Sequence, residues 1–272
     1  MIIDGNAIAR DIYAELTERI RENGYRPHLT VFTCAPNFET QKFLALKRKR
    51  AGEVGIAVNV IEFGESVTTE EVLLTFTALG AHTDGIIVQL PFPSQVRIDE
   101  ILARIPGTLD VDAVNYDGSS ETILPPVVGA IHEILTREQL DIEGKEVVVV
   151  GNGRLVGKPA AHYAVRRGAR VTVLTKDSKN IYDAIARAEV LICGAGNPHM
   201  ITPAHIQEGV LIFDAGTSES GGVLAGDVDP LCSEKAALFT PVPGGIGPIT
   251  VAVLLRNLVI LKDEQTHYPQ SV

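Results

Sequence analysis

Apolar residues recur at steps of four in the first segment, at Ile8, Ile12, Leu16 and Ile20, which predicts an amphipathic helix over Ala7 to Glu22. Leu29 to Cys34 and Val58 to Phe63 predict strands, with a helix between them that runs to about Val54. Thr68-Thr69-Glu70-Glu71 supplies a capping hydroxyl and early acids, the signature of a third helix start. Asp84 to Leu90 centres on a short apolar run, Ile86 to Val88, ends in prolines and predicts a strand buried on both faces of a parallel sheet. Strands alternating with helices imply α/β layers.

The polar stretch Asp117 to Glu121 and the Pro125-Pro126 pair predict a crossing between domains. A helix near Val128 to Thr136 follows, then the four valines of Lys145 to Gly151, a glycine-rich turn and another helix. Arg170 to Thr175, Val190 to Cys193 and Val210 to Phe213 predict further strands, so the second half reads as a Rossmann-like unit. The segment from Ile249 to Lys262 is again helical and apolar, suited to packing back on the first domain.

Composition narrows the function classes. Of 272 residues, 45% are hydrophobic and 21% charged, the balance of a soluble globular protein. A formal net charge of -10 disfavours a nucleic-acid binder, which needs a basic surface to neutralise phosphates. Cys34, Cys193 and Cys232 lack short paired spacing and read as reduced, buried thiols of a cytoplasmic protein. The N-terminus has no signal-peptide pattern, and no apolar run approaches the roughly 20 residues of a membrane span.

Against that acidic background, Lys42 to Arg50 holds five basic residues in nine positions. At about 100° per residue the charges encircle the helix instead of forming one stripe. Lys47 is the exception, because it shares a sector with Phe43, Leu46 and Val54. A lysine on an apolar face either snorkels to water or is held in a pocket. In a pocket, desolvation lowers its pKa and suits it to proton transfer.

Gly151, Gly153 and Gly157 follow the valine run and precede Pro159 at a helix start. The spacing is one residue longer than the usual dinucleotide fingerprint, yet it permits the same chemistry. Small residues let a backbone approach a pyrophosphate, and free N–H groups at a helix N-terminus attract its charge. The alternative is a tight strand-to-helix turn and nothing more. In NAD enzymes the next strand usually ends in an acid that grips the ribose. Here Lys176 is the first charged residue of Leu174 to Ser178. With Arg154 in the loop it favours the 2′-phosphate of NADP, while adjacent Asp177 keeps NAD open.

Four segments together resemble the bifunctional methylenetetrahydrofolate dehydrogenase/methenyltetrahydrofolate cyclohydrolase family. They are Ile2 to Gly5, Val88 to Pro93, Asp110-Val-Asp112 and the highly specific run Thr240 to Thr250, with Val156-Gly-Lys-Pro159 where that family has its cofactor loop. The resemblance covers essentially the whole chain. It implies a three-layer α/β catalytic domain of residues 1–122 plus 249–272 and a Rossmann-like NAD(P)-binding domain of residues 123–248. It also implies oxidation of 5,10-methylenetetrahydrofolate with NADP, hydrolysis of the methenyl product to 10-formyltetrahydrofolate, and a cytoplasmic homodimer. By position in the motifs, Lys47 falls on the catalytic lysine, Gln89 on its supporting glutamine and Asp112 on the aspartate that holds the pterin. Phe43, Pro243, Gly244, Gly245, Pro248 and Thr250 would line the folate, and Gly151, Gly153, Arg154, Val156, Gly157 and Lys176 the cofactor. No metal is required, and the seven histidines show no ligand spacing.

The chain departs from the family's pattern near these residues. Phe43 stands for the usual tyrosine and lacks its hydroxyl, Ala113 for a glycine, Gly153 for a serine and Thr175 for a histidine. The loss of the tyrosine motivates an alternative expectation: a cyclohydrolase-dominant enzyme, or a folate- or nucleotide-binding homologue that has lost catalysis. Asp214 and Asp227, at the ends of apolar runs, read as loop formers, with contact to a ligand as the alternative.

Overall fold

The structure is a computed structural model, and it describes residues 1–36, 38–79, 82–120, 122–220 and 223–267. The chain forms two compact units: Asp11–Asn115 with the segment from Val251 onward, and Met1–Arg10 with Tyr116–Thr250.

The first unit contains most of α1 (Gly5–Asn23), then β1 (His28–Cys34), α2 (Phe38–Glu53), β2 (Ala57–Phe63), α3 (Thr69–Leu79), β3 (Gly85–Val88) and α4 (Ile98–Ala103). Its three strands are parallel in the order β2-β1-β3. Central β1 is buried from Leu29 to Cys34, as parallel strands covered on both faces must be. Phe32 anchors one side of the core, edge-on to Phe76 with ring centroids 4.3 Å apart and among Val72, Val88 and Ile101. The predicted cap of α3 is present: the Thr68 hydroxyl accepts the Glu71 N–H at 3.2 Å, and the Glu71 carboxylate accepts the Thr68 N–H at 2.8 Å. Six-residue α4 is too short to show a period, and the sequence reading omits it.

The helix α8 (Ile246–His267) returns to this unit from Val251 onward. Polar residues fix its far end. Lys262 pairs with Asp84 at 2.9 Å, and Asp263 accepts from Arg19 at 2.6 Å and from Tyr25. The expected return of the C-terminal helix therefore rests on ion pairs as well as on apolar burial.

The second unit contains α5 (Pro126–Arg137), β4 (Glu146–Val150), α6 (Gly157–Arg166), β5 (Arg170–Leu174), α7 (Ile181–Ile185), β6 (Val190–Cys193) and β7 (Leu211–Asp214). The strands β8 (Ser218–Ser220), β9 (Val223–Ala225) and β10 (Leu238–Phe239) complete it. Five strands lie parallel in the order β10-β7-β6-β4-β5, while β8 and β9 pair with each other antiparallel. The valines of β4 are at most 4% exposed, which accounts for their unbroken run in the sequence. The elements α7, β8, β9 and β10 are two to five residues long and have no sequence period to reveal them.

The first ten residues side with this second unit, whereas the sequence division assigns them to the other domain. Backbone hydrogen bonding is the reason. Ile3 donates to Phe239 O, Phe239 donates to Met1 O, both at 2.9 Å, and Gly5 donates to Gly244 O at 2.8 Å. A Cβ on Gly5 would lie 1.8 Å from the Gly245 oxygen, so only glycine fits there. Gly5→Ala is therefore expected to destabilise the protein by at least ~1–3 kcal/mol, the range for overpacking a tight site. A denaturant midpoint equal to that of the parent protein would contradict this.

Candidate active site

Helix α2 buries Thr40, Leu44, Lys47 and Ala51 along one stripe, and Val54 just beyond its end is buried too. Phe43 and Leu46, which the sequence reading puts on the lysine's apolar face, are 43% and 40% exposed and form the rim of that stripe. The basic residues on neighbouring positions blur the apolar period, so the orientation of the helix could not be read locally. Lys47 is 7% exposed and thus held inward; it does not snorkel. Its Nζ donates to Gln89 Oε1 at 2.9 Å and lies 5.2 Å from the centre of the Phe43 ring.

Gln89 is fixed because it extends the ladder beyond β3. Its backbone N–H donates to Phe32 O at 2.8 Å, and its Nε2 donates to Leu90 O at 3.3 Å. With the amide nitrogen so directed, the oxygen faces the lysine. Burial pushes the Lys47 pKa down, and the Asp112 carboxylate partly offsets this. Asp112 moves oppositely: desolvation raises it and the lysine's charge lowers it. Its side chain nevertheless keeps some solvent access, being intermediate in burial. Asp110, 5% exposed, is pushed up to about 6, chiefly by burial, although it accepts the Val114 N–H at 3.2 Å. The structure thus sets Gln89, Phe43 and the Asp112 charge about the Lys47 amine, whose pKa burial lowers.

In the second unit the three loop glycines have different tasks. Gly151 has φ +100, and a Cβ there would lie 2.6 Å from Gly194 O. A Cβ on Gly157 would lie 2.0 Å from Gly151 O, so this glycine closes the turn as α6 begins. A Cβ on Gly153 would meet nothing within 4 Å, which leaves the space beside its Cα open, while its carbonyl accepts the Lys158 N–H at 3.0 Å. Strands β5 and β6 flank β4 on opposite sides, so the loop emerges where the strand order reverses, the place where open α/β sheets bind ligands. Val156 precedes the first turn of α6 and packs where a side chain on Gly194 would be, 2.5 Å from its ideal Cβ. Arg154 is exposed in this loop, and exposed Lys176 lies in the turn after β5 that Thr175 and Ser178 tie together at 2.9 Å. These residues fit a dinucleotide: an open glycine backbone, a helix start and two cations.

Asp227 acts as the loop former that the sequence suggests. It is fully buried, and its carboxylate accepts the N–H groups of Ala195, Gly196 and Asn197 at 2.6, 3.3 and 2.7 Å. Asp214 accepts the N–H groups of Gly216, Asp227 and Val228, and burial raises its pKa to about 6. The pair shapes the loop after β6 beside the glycine turn. Gly194 is not among the residues expected at the site, and its sequence signal is Gly194-Ala-Gly196 directly after a predicted strand. In the other predicted cluster, Gly244 has φ +101 and holds Gly5, while Gly245 donates to Pro241 O at 2.7 Å. Pro248 lies in the first turn of α8, and Thr250 donates to Ile246 O at 3.1 Å. Among the described residues no three His, Cys, Asp or Glu side chains could together hold a metal ion, and no helix is long and apolar enough to cross a membrane.

Comparison with known proteins gives one consistent result. The family described as tetrahydrofolate dehydrogenase/cyclohydrolase matches twice, its catalytic domain over residues 3–112 and its NAD(P)-binding domain over residues 125–266. The bifunctional protein FolD of Nitrosospira multiformis is 35% identical, with 98% of this chain and 96% of that protein covered. FolD of Thermus thermophilus is 34% identical over 94% of each. Among solved structures, the bifunctional FolD of Campylobacter jejuni matches with a TM-score of 0.93 at 31% identity, covering 97% of this chain and 99% of that one. The Trypanosoma brucei enzyme, solved with NADP cofactor and an inhibitor, matches with a TM-score of 0.90 at 30% identity over 98% of each.

The buried amine has a measurable consequence. A lysine whose folded-state pKa lies below its unfolded value of 10.5 penalises the fold while it is charged in both states. That penalty disappears as pH rises from the depressed pKa to the unfolded one. The stability of the parent protein relative to Lys47→Met is therefore expected to increase with pH on approaching 10.5, read from denaturant midpoints across a pH series. A difference that stays constant, or falls, would show that the amine is not desolvated.

Proposed function

Because the chain belongs to the tetrahydrofolate dehydrogenase/cyclohydrolase family, we propose that it oxidises 5,10-methylenetetrahydrofolate with NADP and hydrolyses the methenyl product to 10-formyltetrahydrofolate. The observation that carries this reading is the buried Lys47 amine, held on Gln89 with its pKa lowered. Water adding to the methenyl carbon must lose a proton, and the ring nitrogen released as the ring opens must gain one. A buried amine whose pKa is lowered gives up its proton more readily than a solvated lysine does, which suits it to both transfers. Gln89 accepts one N–H and so directs the remaining valences of the nitrogen away from itself. Phe43 presents a ring face to the same amine, and a ring stabilises the charged form without adding a proton donor.

Asp112 is proposed to orient the folate by accepting hydrogen bonds from the amino and ring N–H groups of the pterin. Pro243, Gly244, Gly245, Pro248 and Thr250 are proposed to line the folate as the family resemblance implies. For the nicotinamide cofactor, Gly151, Gly153, Val156 and Gly157 would form the pyrophosphate cradle, and Arg154 and Lys176 would meet the 2′-phosphate. Bound NADP supplies the hydride acceptor. The unit from Asp11 to Asn115 with the end of α8 is proposed as the folate-binding domain, and the five-stranded unit as the cofactor-binding domain. We further propose a cytoplasmic homodimer. A cyclohydrolase-dominant or inactive homologue, suggested by Phe43, is not favoured by the full-length similarity to bifunctional enzymes.

Purified protein supplied with methylenetetrahydrofolate and NADP is expected to form the methenyl compound, and to hydrolyse that compound when it is supplied directly. Lys47→Met is expected to lower hydrolysis by about 10²-fold or more, the usual contribution of a positioned acid–base group. Hydrolysis at the parent rate in Lys47→Met would remove the lysine from the mechanism. Lys176→Glu is expected to raise the KM for NADP about tenfold or more, the loss of one charge-assisted contact, with little change for NAD. Equal changes for the two cofactors would remove Lys176 from 2′-phosphate recognition.

A further inference from the structure

Asp112 lies in a stretch with no regular secondary structure, so something other than a helix or strand must hold its carboxylate in place. Three contacts do so. The side chain of Val111 is fully buried, against the space that Gly85 leaves open: a Cβ on Gly85 would lie 2.4 Å from Val111 Cγ1. The turn beyond Asp112 closes on Asp110, whose carbonyl accepts the Ala113 N–H and whose carboxylate accepts the Val114 N–H, both at 3.2 Å. The third contact comes from far away in sequence. Asn257 Nδ2 donates to Val111 O at 2.9 Å.

Asn257 is unusual where it stands. It is 1% exposed on a helix whose neighbouring residues Leu254, Leu255, Leu258 and Val259 are also buried. An amide in such surroundings costs stability unless it is paired. A leucine would suit the stripe better if the helix needed only packing. The amide's partner is the peptide group that joins Val111 to Asp112, so the bond fixes the plane from which the Asp112 side chain projects. Leu258, next along the helix, packs against the same Gly85.

We infer that Asn257 is a positioning residue for Asp112, acting through the carbonyl oxygen of Val111. This rests on the proposed role of Asp112 as the carboxylate that orients folate. Without the Asn257 donor the buried Val111 carbonyl loses this bond, and the peptide plane is free to turn towards another partner. A displacement of the carboxylate by ~1 Å is enough to cost up to about 10²-fold.

The test is a double-mutant cycle on the full chain, read by calorimetric titration with tetrahydrofolate and by steady-state kinetics with methylenetetrahydrofolate. Asn257→Leu keeps the heavy-atom count and the branching and removes the donor. It is expected to weaken folate binding and raise its KM about tenfold, with NADP binding changed by less than about twofold. In an Asp112→Ala background the same substitution is expected to have almost no further effect on folate binding, because the group it positions is gone. A folded Asn257→Leu protein with unchanged folate affinity overturns the inference, as do equal losses in both backgrounds. Should Asn257→Leu fail to fold by circular dichroism, Asn257→Ser, too short to reach Val111, takes its place in the same cycle. An Asp112→Ala protein that binds folate normally defeats the functional reading of Asp112 itself. That outcome differs from a parent-like Asn257→Leu with an impaired Asp112→Ala.

Discussion

An amine buried in a largely apolar setting is the constraint around which the first unit is organised. Taking a charged ammonium out of water costs several kcal/mol unless it is paired or gives up its proton. Lys47 meets this cost in three ways. Gln89 accepts one of its hydrogens, Asp112 supplies an opposing charge, and the lowered pKa lets the proton leave. Each demands accurate placement of another element. Gln89 must end the strand that pairs with β1, and Asp112 must be held in a turn. The inward face of α2 then cannot be the one with the largest apolar side chains. Leu44 and Ala51 flank the lysine inside, and Phe43 and Leu46 stay at the rim.

The second unit solves a backbone problem in place of a side-chain one. A loop that is to receive a phosphate must expose N–H groups and keep its own shape. Gly151 and Gly157 provide the shape by fitting where any Cβ would collide, and Gly153 leaves the approach open. The neighbouring loop after β6 is shaped by the Asp227 carboxylate, which collects three consecutive N–H groups, and by Asp214 behind it. Carboxylates satisfied by backbone donors can remain fully buried, which explains why two acids lie in an otherwise apolar core.

Much of this was legible in the chain. The long helices, the parallel strands, the Thr68 cap and the return of the last helix follow from periodicity and capping chemistry, which act over a few residues. The motif segments singled out Lys47 and Gln89, and the fold brings the amine of one onto the amide oxygen of the other. The short pieces were not legible: α7, β8, β9 and β10 have too few residues to carry a period, and their conformations come from neighbours. The first ten residues looked like the start of one domain and are bonded to the other, because their partners Phe239 and Gly244 lie at the opposite end of the sequence.

By itself, the sequence determined which residue types stand at which spacing: a lysine one helical turn after an aromatic, glycines around a strand-to-helix turn, two aspartates separated by a valine. Only the tertiary structure decided that the lysine faces inward, that Gly153 is open while Gly151 is packed, and that a helix 146 residues away holds the peptide before Asp112. The physical reason is range. Helix and turn preferences are set by neighbours in the chain, whereas desolvation and hydrogen-bond pairing depend on whatever the fold brings alongside.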